Sequence, residues 1–219
     1  MILWVIVLCP AAYLLGSIPS AVWIGRAFYR TDVREHGSGN AGATNVLRTL
    51  GGGAAAAVLV VDVLKGYAAV ALALLLPESA GVSGVYDMKI ALAVAGVLGH
   101  IFPVFAGFRG GKGVATLTGA VLGIAPGALL LCAAVFALVL ALWRYVSLAS
   151  MIAGIMLPVF AVAVCHIRYI PLVLFFCLIS VLLVVTHRKN ISRLLRGTES
   201  RIRFRRVSGP GDGHDRARG

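Results

Sequence analysis

Thirty consecutive residues, 114–143, carry no charge. A hydrocarbon layer about 30 Å thick takes about 20 apolar residues per helical crossing, so a run of this length can enter a membrane and return. Further apolar runs occupy 2–25, 51–76, 89–106, 146–165 and 170–185, the second of them interrupted by Asp62 and Lys65. Of the 219 residues 60% are hydrophobic and 13% charged, whereas about a quarter of a soluble domain is charged. A mean hydropathy of +0.96 makes water a poor solvent for most of this surface. In hydrocarbon every backbone N–H and C=O must bond internally, and runs of this length meet that demand as helices. The expectation is an all-α integral membrane protein. Disordered, collagen-like and disulfide-scaffold chains are excluded by the same figures.

The run 114–143 holds Pro126-Gly127 near its middle, a turn pair that breaks helices, so it reads as two short helices joined by a tight turn. That gives seven transmembrane helices. Arg26 and Arg30 follow the first run and no basic stretch precedes it, the reverse of a cleaved signal peptide, so it reads as a retained helix. Segments 26–50, 107–113 and 144–145 and the tail from 187 hold 17 of the 20 Lys and Arg residues. Seven crossings put all four segments on one side; six would split them. The opposite connections hold only Arg168, with Lys65 and Lys89 inside spans. The positive-inside rule then sets the N-terminus outside and the C-terminus in the cytoplasm.

Residues 1–206 read as a single membrane domain, and 207–219, rich in Gly, Arg and Asp, as a disordered tail. The net charge of +12 does not indicate a nucleic-acid partner. Its bases concentrate in the tail beside the membrane, where anionic lipid attracts them, and no aromatic ladder is interleaved. The four cysteines lie in apolar runs without a Cys-x-x-Cys pair and read as small packing residues.

Four polar or Gly-rich clusters interrupt the apolar sequence, all on the side assigned to the cytoplasm. The first runs from His36 to Asn45 and is followed by Arg48. Its glycines, Gly39 among them, let backbone N–H groups turn toward an anion, while Ser38, Asn40, Thr44 and Asn45 add neutral donors and Arg48 a bidentate guanidinium. Gly37-x-Gly39-x-x-Gly42 copies a dinucleotide fingerprint, but no strand precedes it, so that reading is rejected. The second cluster, 107–116, sets Gly110, Gly111 and Gly113 around Lys112 at a helix start, a favourable place for an anion. It is not a nucleotide-triphosphate loop, because Ala106 and Gly113 stand where Gly and Ser or Thr are required. His100, just upstream, reads either as a buried packing residue or as part of the site.

The third cluster, 144–150, offers Ser147 and Ser150, which either cap a helix or face the site. In the fourth, 186–194, a helix would turn His187 and Asn190 toward the bundle and Arg188, Lys189, Ser192 and Arg196 toward water and headgroups. Asp62 and Lys65 lie three residues apart and can neutralise each other, either bracing the loops or marking function. Gly119, Gly123 and Gly127 recur at the spacing of close helix packing.

Several chemistries are missing. The chain has no Gly-x-Ser-x-Gly, no His-Glu-x-x-His and no acidic cluster for a metal, so neither metal nor cofactor is expected. None of the five histidines has an acid five positions later, which removes the His-x₄-Asp dyad of soluble and CoA-dependent glycerolipid acyltransferases. A CDP-alcohol phosphatidyltransferase would need an Asp-rich metal motif. A transporter of organic phosphate would carry polar residues on both sides and an internal repeat, whereas the outer loops here are short and bland. What remains is a cationic, donor-rich face at a membrane, suited to phosphorylated substrates of which at least one is lipidic.

Three long motifs sharpen that reading. They are Gly37-Ser-Gly-Asn-Ala-Gly-Ala-Thr-Asn45, then Gly99-His-Ile-Phe-Pro-Val-Phe with Phe108-Arg-Gly-Gly-Lys-Gly-Val-Ala-Thr116, then Thr186-His-Arg-Lys-Asn-Ile-Ser-Arg-Leu194 continuing to Gly197-x-Glu199. In order and spacing, over residues 1 to about 203, the chain resembles the bacterial membrane acyl-phosphate:glycerol-3-phosphate acyltransferase family, the PlsY type. The resemblance implies a seven-helix enzyme of the bacterial inner membrane with a cytoplasmic active site. It implies transfer of a fatty acyl group from acyl phosphate to the 1-hydroxyl of sn-glycerol 3-phosphate, giving lysophosphatidic acid and phosphate. Neither CoA nor acyl carrier protein takes part directly, no covalent acyl-enzyme forms, and functional coupling to the enzyme that makes acyl phosphate is implied.

Matched motif positions make His187, Lys112, Arg48 and Ser38 the catalytic group. Gly39, Asn40, Thr44, Asn45, Gly110, Gly111, Ser150 and Asn190 are then substrate-binding. Ser38, Asn40 and Arg48 would hold phosphate in the first loop, with Lys112 and His187 meeting the substrate phosphates. The attacking hydroxyl loses its proton to His187 or to a phosphate oxygen of the substrate, and the sequence leaves both open.

Overall fold

The computed structural model describes residues 2–202; the tail 207–219 lies outside them. Every regular element among the described residues is helical. Helices α1 (Ile2–Gly16) and α2 (Ser20–Tyr29) make one broken stretch of 28 residues. Pro19 causes the break. It has no N–H and bars helical dihedrals at Ile18, and the opened turn leaves the Ile18 carbonyl accepting from Lys65 Nζ at 2.7 Å.

A short α3 (Ala43–Thr49) precedes α4 (Gly52–Ala71) and α5 (Gly81–Ile101). Then come α6 (Val114–Ile124) and α7 (Pro126–Trp143), separated by the turn expected at Pro126, which opens α7 where its missing N–H costs nothing. After α8 (Val146–Ala163) and α9 (Ile170–Thr186) the chain bends by 57° into α10 (Arg188–Leu195).

Five helical stretches are long and apolar enough to cross a membrane, and α9 with α10 makes a sixth if the bent pair is one span. The remaining apolar helix, α6, has 11 residues, about 16 Å at 1.5 Å per residue, well short of a ~30 Å layer. Gly107 and Gly113, at φ 63° and 81°, hold 107–113 as a loop where α6 would otherwise have its first turns.

A second difference lies in α5, which begins at Gly81 rather than near residue 89 and so contains Asp87 and Lys89. Both are satisfied without ending the helix. Asp87 accepts from the Tyr169 hydroxyl at 2.7 Å, and Lys89 donates to the Gly123 carbonyl at 2.9 Å while lying over the Tyr86 ring.

Glycines set how closely the helices approach. A methyl added at Gly119 would collide with the Val63 carbonyl, one at Gly66 with the Thr116 carbonyl, and one at Gly16 with the Gly96 carbonyl. Backbone contact of this kind replaces a hydrophobic driving force between membrane helices. The outward faces are apolar, with Leu130 71% and Leu174 63% exposed. Inside, Phe176, Leu172 and Ile179 of α9 pack with Leu117 and Val121 of α6 and Leu157 of α8.

Candidate active site

The first loop rests on a small apolar platform in which Val33, Ala41 and Val46 pack on Ala21 and Val22 of α2 and Ala54 and Val58 of α4. Gly37 and Gly39, at φ 60° and 70°, turn the chain back over Asn45, and a side chain at Gly37 would strike Asn45 Oδ1. Asn45 is buried, and it builds the loop. Its Oδ1 accepts from the Ser38 N–H at 2.8 Å and the Ser38 hydroxyl at 3.1 Å, while Nδ2 donates to the carbonyls of Val33 at 2.7 Å and His36 at 3.1 Å. Arg34 clips this loop to the next one by donating to the Ala106 carbonyl at 2.7 Å. Asp32 pairs with Arg34 at 2.7 Å, and that hydrogen-bonded guanidinium holds its carboxyl well below the usual range.

The second loop is zipped to the end of α5. Gly110 N–H donates to the Ile101 carbonyl and Gly111 N–H to the His100 carbonyl, each at 3.2 Å. The next side chain, Lys112, donates from Nζ to Asn190 Oδ1 on α10. Asn190 Nδ2 donates in turn to Glu199 Oε1 at 2.7 Å. Glu199 also accepts from the Ser147 hydroxyl at 2.9 Å and from Arg193 Nε at 2.6 Å, and Arg48 Nη2 stands 4.0 Å away. One buried carboxylate thus gathers α3, α8 and α10 around Lys112.

Burial pushes the Glu199 pKa up, but Arg193, Asn190 and Ser147 outweigh it and hold the carboxyl below the ordinary value. Burial lowers Lys112 to about 8, with Arg193 and Arg48 adding to the depression against the opposing Glu199 charge. His187 lies just past the apolar part of α9. Its Nδ1 is 2.7 Å from the Leu183 carbonyl, which can only accept, so Nδ1 carries the proton and Nε2 keeps its lone pair. Burial first, and Lys112 second, push His187 down to about 4, against smaller opposing effects of Leu183 and Glu199. It is neutral at neutral pH.

Lys112, Asn190, Glu199, Arg48, Ser147 and His187 border one cavity of about 370 Å³. Its lining combines Ser38, Arg48, Lys112, Ser150, His187 and Asn190 with Leu117, Val121, Leu129, Phe136, Leu157 and Ile179. A lining that joins cationic and donor groups to apolar side chains fits an amphiphile that is anionic at one end.

A profile of the glycerol-3-phosphate acyltransferase family matches residues 6–197. Glycerol-3-phosphate acyltransferases of Staphylococcus aureus strains JH9 and Mu50 are each 40% identical over 202 residues, covering 91% of this chain and 98% of the relative. The chain belongs to the glycerol-3-phosphate acyltransferase family. Its fold is that of PlsY, an integral membrane glycerol 3-phosphate acyltransferase. The glycerol 3-phosphate form of PlsY superposes with a TM-score of 0.80 at 38% identity, covering 91% of this chain and 96% of PlsY. The lysophosphatidic acid form does so at 0.76 and 37%, covering 91% and 95%.

Within this acyltransferase, nine of the residues expected at the site border the cavity: Ser38, Asn40, Thr44, Asn45, Arg48, Lys112, Ser150, His187 and Asn190. Gly39, Gly110 and Gly111 do not. The N–H groups of Gly110 and Gly111 are bonded to α5 carbonyls, which shapes the loop that carries Lys112. Asn45 borders the cavity with its amide already committed. Glu199, Asp62 and His100 also border it. Glu199 stands in the third motif, but nothing in a basic segment shows that its carboxylate turns inward.

Proposed function

We propose that this acyltransferase uses acyl phosphate as donor, acylates the 1-hydroxyl of sn-glycerol 3-phosphate, and releases lysophosphatidic acid and phosphate without a covalent acyl-enzyme. The observation that carries the reading is one cavity lined both by Lys112, Arg48 and His187 and by apolar side chains of α6, α7, α8 and α9. The related PlsY structures are a glycerol 3-phosphate form and a lysophosphatidic acid form, an acceptor and its acylated product. An acyl phosphate is a mixed anhydride with a good leaving group. Two mutually repelling anions must be brought together, and fixed cations meet that requirement by orientation and by stabilising charge on the carbonyl oxygen and the departing phosphate.

The acceptor hydroxyl oxygen attacks the carbonyl carbon, the bond from that carbon to the phosphate oxygen breaks, and phosphate leaves. His187, with a pKa near 4, is a poor proton acceptor. The donor's phosphate gains basicity as its bond to the acyl carbon breaks, which makes it the better one. The proton therefore goes to the donor phosphate and leaves with it. His187 Nε2 accepts a hydrogen bond that orients the acceptor, and Ser38 and Arg48 hold phosphate at the first loop.

The placement we propose is a bacterial inner membrane with seven crossings, the N-terminus outside, and the active site and C-terminus cytoplasmic. In this arrangement α6 is a short fourth crossing, and the loop before it stays at the cytoplasmic end beside the end of α5. The split of basic residues supports it. Residues 1–206 then make one membrane domain. The donor must come from a reaction that makes a mixed acyl-phosphoric anhydride, and coupling to that enzyme follows from the lability of such a compound.

Purified protein in lipid, given palmitoyl phosphate and labelled glycerol 3-phosphate with EDTA and without coenzyme A, tests the reading. Labelled lysophosphatidic acid is expected. Turnover only with acyl-CoA, or only after a divalent metal is added, overturns it.

A further inference from the structure

A second polar cluster lies inside the bundle. Asp62 of α4, 1% exposed, accepts from the Ser20 hydroxyl at 2.7 Å and pairs with Lys65 Nζ at 2.8 Å. Lys65 reaches on to the Ile18 carbonyl in the break between α1 and α2. His100, in the last turn of α5 and 6% exposed, sets Nδ1 3.7 Å from the same Asp62 oxygen. Nδ1 has no hydrogen-bond partner among the described residues. The other edge of the ring fits beneath the second loop, where a side chain on Gly111 would collide with Nε2. The adjoining residue is Lys112.

A cluster with only a packing role would be replaceable by apolar residues of similar volume, and such replacements of buried ion pairs are often neutral or stabilising. A buried nitrogen left one small step from a carboxylate is costly where it stands. Contacts that are long in a ligand-free site commonly tighten in the substrate complex.

We propose that His100, oriented by Asp62, is a positioning residue for Lys112. Its Nδ1–H points at Asp62 and its Nε2 edge supports Gly111, so the loop carrying Lys112 is referenced to the α4 ion pair and to the α1–α2 break. When phosphate draws Lys112 into place, the contact with Asp62 closes to a hydrogen bond. The proposal rests on the acyltransferase reading and adds to it that Lys112 meets the phosphate of glycerol 3-phosphate; the acyl donor does not enter.

The test is a set of three full-length variants assayed with whichever acyl donor the wild-type enzyme uses, reading KM for glycerol 3-phosphate and kcat separately. Asn puts an amide where Nδ1 was, Gln puts one where Nε2 was, and Leu fills the space without polar atoms. The expectation is that His100→Asn stays within about 3-fold of wild type, while His100→Gln and His100→Leu raise KM by about 10-fold, one hydrogen bond's worth, with kcat much less changed. In an Asp62→Asn background His100→Leu adds little further, because the two act as one unit. Wild-type kinetics in His100→Leu would mean packing alone and overturn the proposal. Asn performing no better than Gln would overturn it too, as would a loss confined to kcat. If His100→Leu does not fold, as judged by its melting in detergent, the Asn and Gln pair still decides. Failure of palmitoyl phosphate as donor sinks the proposed function and leaves this test standing.

Discussion

Lys112 carries two opposed demands. Phosphate recognition needs its ammonium, yet burial and the neighbouring Arg193 and Arg48 lower its pKa to about 8. A lysine with a lowered pKa loses its charge as pH rises through that lowered value, so kcat/KM for glycerol 3-phosphate is expected to fall above pH 8 or so. In the substrate complex the phosphate dianion favours the ammonium, which moves the same limb in kcat to higher pH. Lys112→Arg should abolish the limb without restoring full activity, because a planar fork replaces a compact charge. Lys112→Ala should cost at least ~10²-fold in kcat/KM. A pH–rate series on the three proteins checks this, and an alkaline limb persisting in Lys112→Arg would assign it to another group. His187 gives a sharper contrast. If phosphate takes the proton, His187→Gln retains far more activity than His187→Ala, whereas a base would leave both equally inactive. Ser38, Arg48, Lys112 and His187 were legible as candidates for one site, and the cavity they share gathers them, because their chemistry is unusual in a membrane chain. The inward role of Asn45 was not, since residue type declares donors but not which carbonyls they reach. Glu199 was hidden for the related reason that its partner Ser147 lies 52 residues away.

At the scale of elements, the breaks divide into those written in local chemistry and those made by tertiary contact. The α6–α7 turn is written in Pro126. The start of α5 at Gly81 is not, because Asp87 reads as a loop residue and Lys89 as the edge of a span until Tyr169 and Gly123 are brought beside them. The Gly119, Gly123 and Gly127 series was legible as packing, but the structure ranks its members. A methyl at Gly119 meets backbone that cannot yield, at Gly123 the Val70 side chain at 3.2 Å, and at Gly127 the Cys165 sulfur at 3.5 Å, an ordinary contact. Gly119→Ala should therefore lower the melting temperature in detergent by an amount matching about 1–3 kcal/mol, and Gly127→Ala should be nearly silent. Equal melting of the two would mean that α4 and α6 are not held by backbone contact. Because α6 carries the Lys112 loop at its start, activity of Gly119→Ala should fall before the protein unfolds.

For the whole molecule, the question is how an 11-residue helix is compatible with an odd number of crossings. The four polar clusters contribute to one cavity, so segments 36–48, 112–118, 146–150 and 187–199 converge at one end of the bundle. At the other end Asp87 meets Tyr169, and Gly127 meets Cys165. The chain from 112 to 127 thus runs from the first end to the second, with the short α6 and the turn at Pro126 as its only elements. The proposed orientation follows from charge, since segments 26–50, 107–113 and 144–145 hold seven of the Lys and Arg residues and the opposite connections only Arg168. A cysteine placed in segment 26–50 and a tag at the C-terminus should both be reached only from the cytoplasmic side, and a cysteine at Ser79 only from outside. Impermeant thiol labelling of intact cells and of inverted vesicles, in a background lacking the four native cysteines, reads all three. Loop 26–50 and the C-terminus on opposite faces would refute the seven-crossing arrangement. All three sites inverted together would keep the seven crossings and move the active site to the outer surface.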